Sequence, residues 1–126
     1  VNLLFDSHAL LWLMFRPDRL DPAARRQLDG RPGAMAFSIV SIWELQIKLA
    51  TGKMDIDMPN WAMLRDTGAL EILSVTVEDA VAAAALPPHH RDPFDRMIIA
   101  QAARRGLTIV SRDRVFEAYR APMLMC

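Results

Sequence analysis

Apolar positions along this chain fall into short runs separated by turn-forming residues, and the spacing within each run separates strand from helix. Asn2 to Phe5 is an apolar run that stops at Asp6, as a buried strand does where the first carboxylate appears. Ser7 or Asp6 then caps a helix over His8 to Phe15, closed by Arg16 and Pro17. Asp21 followed by Pro22 predicts an N-cap and a helix over Ala23 to Asp29, ended by Gly30, Pro32 and Gly33. Ala34 to Phe37 reads as a second strand, leading through Ser38 to Ser41 into a helix over Ile42 to Ala50 that Gly52 terminates. Pro59 opens a helical stretch around Trp61 to Asp66, with Gly68 as its stop. Glu71 to Val75 alternates and predicts a strand. Thr76 to Asp79 has the form of a capping box ahead of an alanine-rich helix that ends at Pro87 and Pro88. Asp92 and Pro93 start a helix over Phe94 to Arg105, with Gly106 behind it. Leu107 to Val110 predicts a strand, Ser111 to Asp113 a turn, and Met123 to Met125 an edge strand.

Short apolar strands alternating with helices predict an α/β domain with a short, mainly parallel sheet of four to five strands, flanked by helices on both faces. The 126 residues, 52% of them apolar, are expected to build a single domain over 1–126 around one core. The longest apolar runs, Ala9 to Phe15 and Ala80 to Leu86, fall far short of the ~20 residues of a membrane span. No basic segment precedes an apolar stretch at the start, so the expected compartment is the cytoplasm. Cys126 is the one cysteine, which excludes an intrachain disulfide and a thiolate cluster. Metal chemistry must then use oxygen or imidazole.

Fifteen basic residues balance fifteen acidic ones, so no overall positive field draws nucleic acid, and any such surface must be local. In an open parallel sheet, ligands bind beyond the carboxyl ends of the strands. Asp6 ends the first strand, Glu44 lies early in the helix after the second, and Asp113 follows the strand Leu107 to Val110. Asp95 joins them if the helix opened by Asp92 starts at that edge. Such carboxylates repel one another unless a cation is present. All-oxygen ligation suits Mg²⁺ or Mn²⁺, and phosphodiester hydrolysis is the reaction that needs a polarised phosphate and an activated water together.

Each acid also has a structural explanation. Ser41 and Glu44 have capping-box spacing, and Glu44 sits four residues before Lys48. Asp92 reads as an N-cap, Asp95 as a carboxylate favoured by the helix dipole, and Asp113 as a cap for Arg114 to Tyr119. Asp6 is the hardest to explain away. His89 and His90 lack zinc-ligand spacing and read as a loop pair. Trp12, Trp43 and Trp61 lie in apolar helical stretches and are expected in the core. Arg96, Arg112 and Arg114 are the candidate phosphate contacts.

In order, four segments resemble the PIN-domain ribonucleases, in particular the VapC-type toxins of bacterial toxin–antitoxin pairs. They are Leu3 to Trp12 with Asp6 and Ser7, Ser38 to Lys48 with Glu44, His89 to Ala102 with Asp95, and Leu107 to Asp113 with Ser111. The resemblance implies that Asp6, Glu44, Asp95 and Asp113 ligate a metal or activate water, and that Ser7 and Ser111 orient water or phosphate. It also implies a Mg²⁺ or Mn²⁺ site cutting RNA, a homodimer, and a cognate antitoxin that blocks the groove. Asp-x-x-Ile-x-Ala (Asp95, Ile98, Ala100) fits the family pattern better than Asp92 does. Threonine often stands in the family where Ser7 and Ser111 stand here. Two other readings are weighed: an aspartate-based phosphatase, which needs a second acid where His8 stands, and a non-catalytic PIN-like binding protein.

Overall fold

The structure is a computed structural model and describes residues 3–29 and 35–126. Five strands form one parallel sheet in the order β3-β2-β1-β4-β5. These are β1 (Leu3–Phe5), β2 (Met35–Ser38), β3 (Glu71–Leu73), β4 (Thr108–Ser111) and β5 (Met123–Met125). The helices are α1 (Ser7–Phe15), α2 (Pro22–Asp29), α3 (Ile39–Ala50), α4 (Trp61–Asp66), α5 (Val77–Ala85) and α6 (Pro93–Arg105). The expected α/β architecture with a parallel sheet is therefore present, and all five strands take part. The expectations placed on Asn2, Gly30, Pro32, Gly33 and Ala34 lie outside the described residues.

β1 occupies the centre because every residue in it is apolar and the pleat sends its side chains alternately to the two faces. Leu3 and Phe5 enter one core with Leu10, Phe37, Leu45 and Val110, while Leu4 enters the other with Ile98, Ile99, Ile109 and Phe116. Burying each such side chain contributes about 1.5 to 3 kcal/mol, so this three-residue strand anchors both layers.

Caps set the helix starts. Asp6 Oδ1 accepts from Ala9 N at 2.8 Å and opens α1. Asp21 accepts from the backbone of Ala23 and Ala24, and Asn60 caps α4. Helix α3 begins earlier than the sequence pattern placed it. Ser38 is the last paired residue of β2, and its Oγ accepts from Val40 N at 3.2 Å, so the helix starts at Ile39. Ser41 is then an interior helical residue, and its capping box with Glu44 does not form. β3 ends at Leu73 rather than Val75, because the Ser74 carbonyl turns to accept from Gln101 and Arg105. The tryptophans divide: Trp12 and Trp61 pack against the core, but Trp43 is 61% exposed and meets the edge of Phe94 at 5.3 Å. Two apolar stripes run along α3, and the pattern alone does not tell which one faces inward.

α5 and α6 form an antiparallel pair pinned at both ends. The Thr76–Asp79 capping box forms as expected, and the same Asp79 carboxylate, fully buried, binds Arg104 Nη1 and Arg105 Nη2 at 2.6 Å each. Burial alone raises the Asp79 pKa, but hydrogen bonds from the Thr76 backbone, Arg105, Arg104 and Gln101 outweigh it and hold the carboxyl well below the usual range. At the other end, Arg96 in the first turn of α6 donates to the Ala83 and Leu86 carbonyls at 2.9 and 2.8 Å, closing the last turn of α5.

Asp79→Ala removes a buried charge with several donors, while both arginines retain partial access to water. A loss of about 2 to 3 kcal/mol is expected, measured as a lower urea midpoint with unchanged slope.

Candidate active site

Because every strand is parallel, the chain leaves β1, β2 and β4 at the same edge of the sheet. The order reverses between β1 and β4, since the chain builds outward from β1 through β2 to β3 and then returns to pair β4 on the other side. Asp6 and Asp113 follow the two strands that flank this reversal.

Asp6 is 5% exposed and cannot avoid the site, since its carboxylate both caps α1 and accepts a hydrogen bond from the Ser111 hydroxyl at the end of β4. Burial pushes its pKa up, against the lowering effect of the Ser111 and Ala9 hydrogen bonds and of His8, while Asp113 adds to the rise. Glu44 projects from α3, 8% exposed, with Oε1 receiving the Ser7 hydroxyl and Oε2 lying 3.4 Å from Lys48 Nζ. The helical ion pair with Lys48 and the approach to the site are thus both real. Ser7 and Ser111 cross-link the elements that carry the acids: Ser7 ties α1 to α3, and Ser111 ties β4 to the start of α1.

Asp95 stands in the first turn of α6, and Asp92 ahead of it is the N-cap, accepting from Phe94 N at 2.9 Å. The cap keeps Asp92 at the helix start and sends Asp95 toward the other acids. Burial pushes the Asp95 pKa up to about 7, and the charges of Asp92, Glu44 and Asp6 add to this, with His90 opposing them. Asp113 is the most exposed of the four; it caps the turn Arg114–Tyr119 through Val115 N at 3.0 Å. Its own N–H donates to Ser111 Oγ at 3.0 Å, which holds it beside Asp6.

A residue that the sequence pattern assigned to a loop pair joins this group. His90 Nε2 lies 2.8 Å from Asp95 Oδ2 and 4.0 Å from Asp113 Oδ2, and these three side chains place ligand-type atoms within 4.8 Å of one another. His89 turns the other way, its ring packed on Tyr119. Nothing in residue spacing marks His90, because Tyr119 Oη, 29 residues on, fixes its backbone N–H at 2.8 Å.

Of the three arginines expected to meet phosphate, Arg96 does not face the site: its guanidinium is occupied by the carbonyls that close α5 and by those of Pro87 and His90. Arg112 lies 4.0 Å over the Trp12 ring and donates to the Cys126 carbonyl. Arg114 is an exposed residue near Glu117. Lys48, Lys53 and Arg91, which the sequence pattern did not mark as phosphate contacts, border a cavity of about 460 Å³ together with Glu44 and Asp92. A second cavity of about 320 Å³ opens on the side of Asp6 and Asp113, against Trp12 and Arg112.

The donor set fits a hard divalent ion. Its atoms are carboxylate oxygens, two of the acids are buried enough to resist ionising, and the side chains beside them supply less positive charge than the acids carry negative. Asp6, Glu44, Asp95 and Asp113 are the residues that could hold such an ion.

Comparison with known proteins gives the family and the fold. The family model described as PIN domain matches residues 3–122. Ribonuclease VapC22 of Mycobacterium tuberculosis is 29% identical over 123 residues, covering 96% of this chain and 94% of that protein. Among solved structures, DNA-bound VapBC from Salmonella typhimurium aligns with a TM-score of 0.70 at 19% identity, over 99% of this chain and 98% of the other. VapBC2 from Rickettsia felis, bound to a promoter DNA fragment, aligns with a TM-score of 0.70 at 11% identity, over 100% and 99%. The structural likenesses establish the fold.

The raised Asp95 pKa carries a sign. The folded state keeps a proton on Asp95 up to about pH 7, whereas the unfolded chain loses it near the ordinary value of 3.8, so folding is disfavoured increasingly across that interval. In EDTA, the melting temperature of the parent is expected to fall from pH 4.5 to 7.5 more steeply than that of Asp95→Asn. Identical slopes would remove the buried, repelled carboxyl from the description.

Proposed function

Since the chain belongs to the PIN-domain family, we propose that it is an endoribonuclease that hydrolyses RNA phosphodiester bonds with a bound Mg²⁺ or Mn²⁺, acting as the toxin of a toxin–antitoxin pair. The observation that carries this reading is the gathering of Asp6, Glu44, Asp95 and Asp113 from four distant segments at one sheet edge, where burial and mutual repulsion raise Asp6 and Asp95. The likeness to a named ribonuclease over almost the whole chain supports the substrate class.

A divalent ion bound there supplies charge neutralisation for the phosphate and activation of water. The chain's own residues do the positioning. Ser111 and the Ala9 N–H hold Asp6, and Ser7 with Lys48 holds Glu44, so neither carboxylate rotates freely. Carboxylates fixed in this way would hold such an ion in one place. Lys48, Lys53 and Arg91 along the neighbouring cleft provide sequence-independent contacts for flanking phosphates.

A cognate antitoxin covering the groove is the protein partner, in keeping with the VapBC complexes to which the fold aligns. A second copy of the chain is the other. Support for it comes from an apolar surface on which Ile39, Trp43, Val75 and Met97 line a cavity of about 520 Å³, with Val77 and Val81 exposed on α5. No helix among the described residues is long and apolar enough to cross a membrane, and the site of action proposed is the cytoplasm. No observation favours the phosphatase, since His8 is exposed and packs beside Trp12.

Two measurements test this. Asp6→Asn and Glu44→Gln are expected to lower Mg²⁺-dependent RNA cleavage about 100-fold or more, by analogy with the loss of a single electrostatic stabiliser. Cleavage by the parent should stop in EDTA, and variants as active as the parent would reject the assignment. Trp43→Asp should convert a sedimenting dimer to monomer; an unchanged sedimentation coefficient would move the interface elsewhere.

A further inference from the structure

Each acid of the candidate site except Asp95 has an orienting donor of ordinary kind: Ser111 and Ala9 N for Asp6, Ser7 and Lys48 for Glu44, Val115 N for Asp113. Among the described residues, the polar hydrogen that stands at Asp95 is that of His90. The imidazole is held from several directions. Its backbone N–H donates to Tyr119 Oη at 2.8 Å, its carbonyl accepts from Arg96 Nη1 at 3.2 Å, and its ring meets the edge of Phe116 at 6.2 Å. The side chain is 17% exposed, and Nε2 itself is closed to solvent.

The tautomer follows from the remaining contact. The Asp92 backbone N–H donates to His90 Nδ1 at 3.2 Å, so Nδ1 carries the lone pair and Nε2 carries the proton. An imidazole that accepts at Nδ1 cannot also offer a lone pair at Nε2 to a metal. Nε2–H therefore faces the acids as a donor, 2.8 Å from Asp95 Oδ2 and 4.0 Å from Asp113 Oδ2. Although Nε2 is this close, it makes no aligned hydrogen bond with either carboxylate, so its N–H stands at the acids as a buried, unpaired donor.

We propose that His90 is a positioning residue of the metal pocket, its otherwise unpaired Nε2–H serving to orient the Asp95 carboxylate beside Asp113, and that His90 is not itself a ligand. This rests on the divalent-metal reading given above. Donors of this kind set the orientation of ligating carboxylates, and their loss typically weakens metal binding about 10- to 100-fold. The Asp92 cap thereby gains a second role, because its backbone N–H selects the imidazole tautomer while its carboxylate opens α6.

The test is Mn²⁺ titration followed by electron paramagnetic resonance on the parent, Asp95→Asn, His90→Phe, His90→Asn and His90→Gln, with folding checked by thermal melting. The parent should bind Mn²⁺ and Asp95→Asn should lose it. His90→Phe fills the ring space without a donor, and His90→Asn is too short to reach; either should bind about 10- to 100-fold more weakly. Glutamine places an amide N–H where Nε2–H was and should recover binding to within about threefold of the parent. The Mn²⁺ spectrum should show no directly coupled ¹⁴N.

Parent-like affinity in His90→Phe or His90→Asn overturns the proposal, as does a glutamine variant no better than these. A directly coupled ¹⁴N also overturns it, by making His90 a ligand. A parent that binds no Mn²⁺ brings down the metal reading and this proposal together, whereas parent binding that is lost in Asp95→Asn but indifferent to residue 90 brings down this proposal alone.

Discussion

Parallel pairing of β1 with strands on both sides is the constraint from which the site follows. It sends the chain out of β1, β2 and β4 at one edge, and it does so with the carboxylates of Asp6 and Asp113 and the helix bearing Glu44 immediately behind. The same edge receives the start of α6 with Asp95. Burial and like charge then act in one direction, raising Asp6 and Asp95. Lys48 answers Glu44 alone, from a side chain that is itself partly in water. The metal-free fold is therefore less stable than its packing alone would make it, a departure from local consistency of the kind found at functional sites.

Holding Asp95 in this field depends on structure remote from it. α6 is clamped to α5 by Asp79 with Arg104 and Arg105 at one end and by Arg96 at the other. These are different devices. The Asp79 cluster neutralises a buried charge, and Arg96 gathers the carbonyls that a helix leaves unpaired at its C-terminus. Because Arg96 also takes the His90 carbonyl, the clamp reaches into the loop that supplies the imidazole. An arginine one residue after a candidate ligand thus works through the backbone rather than through phosphate.

How legible all this was in the sequence depends on how local each determinant is. The strands, the Thr76 box, the Asp92 cap and Gly106 in its left-handed conformation (φ 66) are set by neighbours a few residues apart, and the pattern of residues places them. Asp6 is legible for the same reason, being both strand end and cap. The start of α3 was misplaced because Ile39 and Val40 are branched and suit a strand as well as a helix. An apolar helical stretch around Trp43 predicts an inward ring, but Ile39, Trp43 and Ile47 form the exposed stripe of α3. His90 was out of reach. Its position is set by Tyr119 and its tautomer by Asp92, and only folding brings the first of these near.

Charge balance gives the last constraint. With equal numbers of acidic and basic residues, the chain has no long-range field to collect a polyanion, and the candidate cations Lys48, Lys53 and Arg91 share their cavity with Glu44 and Asp92. Lys48, Lys53 and Arg91 border the cavity on the Glu44 and Asp92 side, and Arg112 borders the cavity on the Asp6 and Asp113 side. These four cations stand at the rim, where water and salt screen them, while the acids act on one another at closer range. On the proposed reading, an ion held by the carboxylates would offset their repulsion at the centre, while the rim cations would contact phosphates without reading sequence.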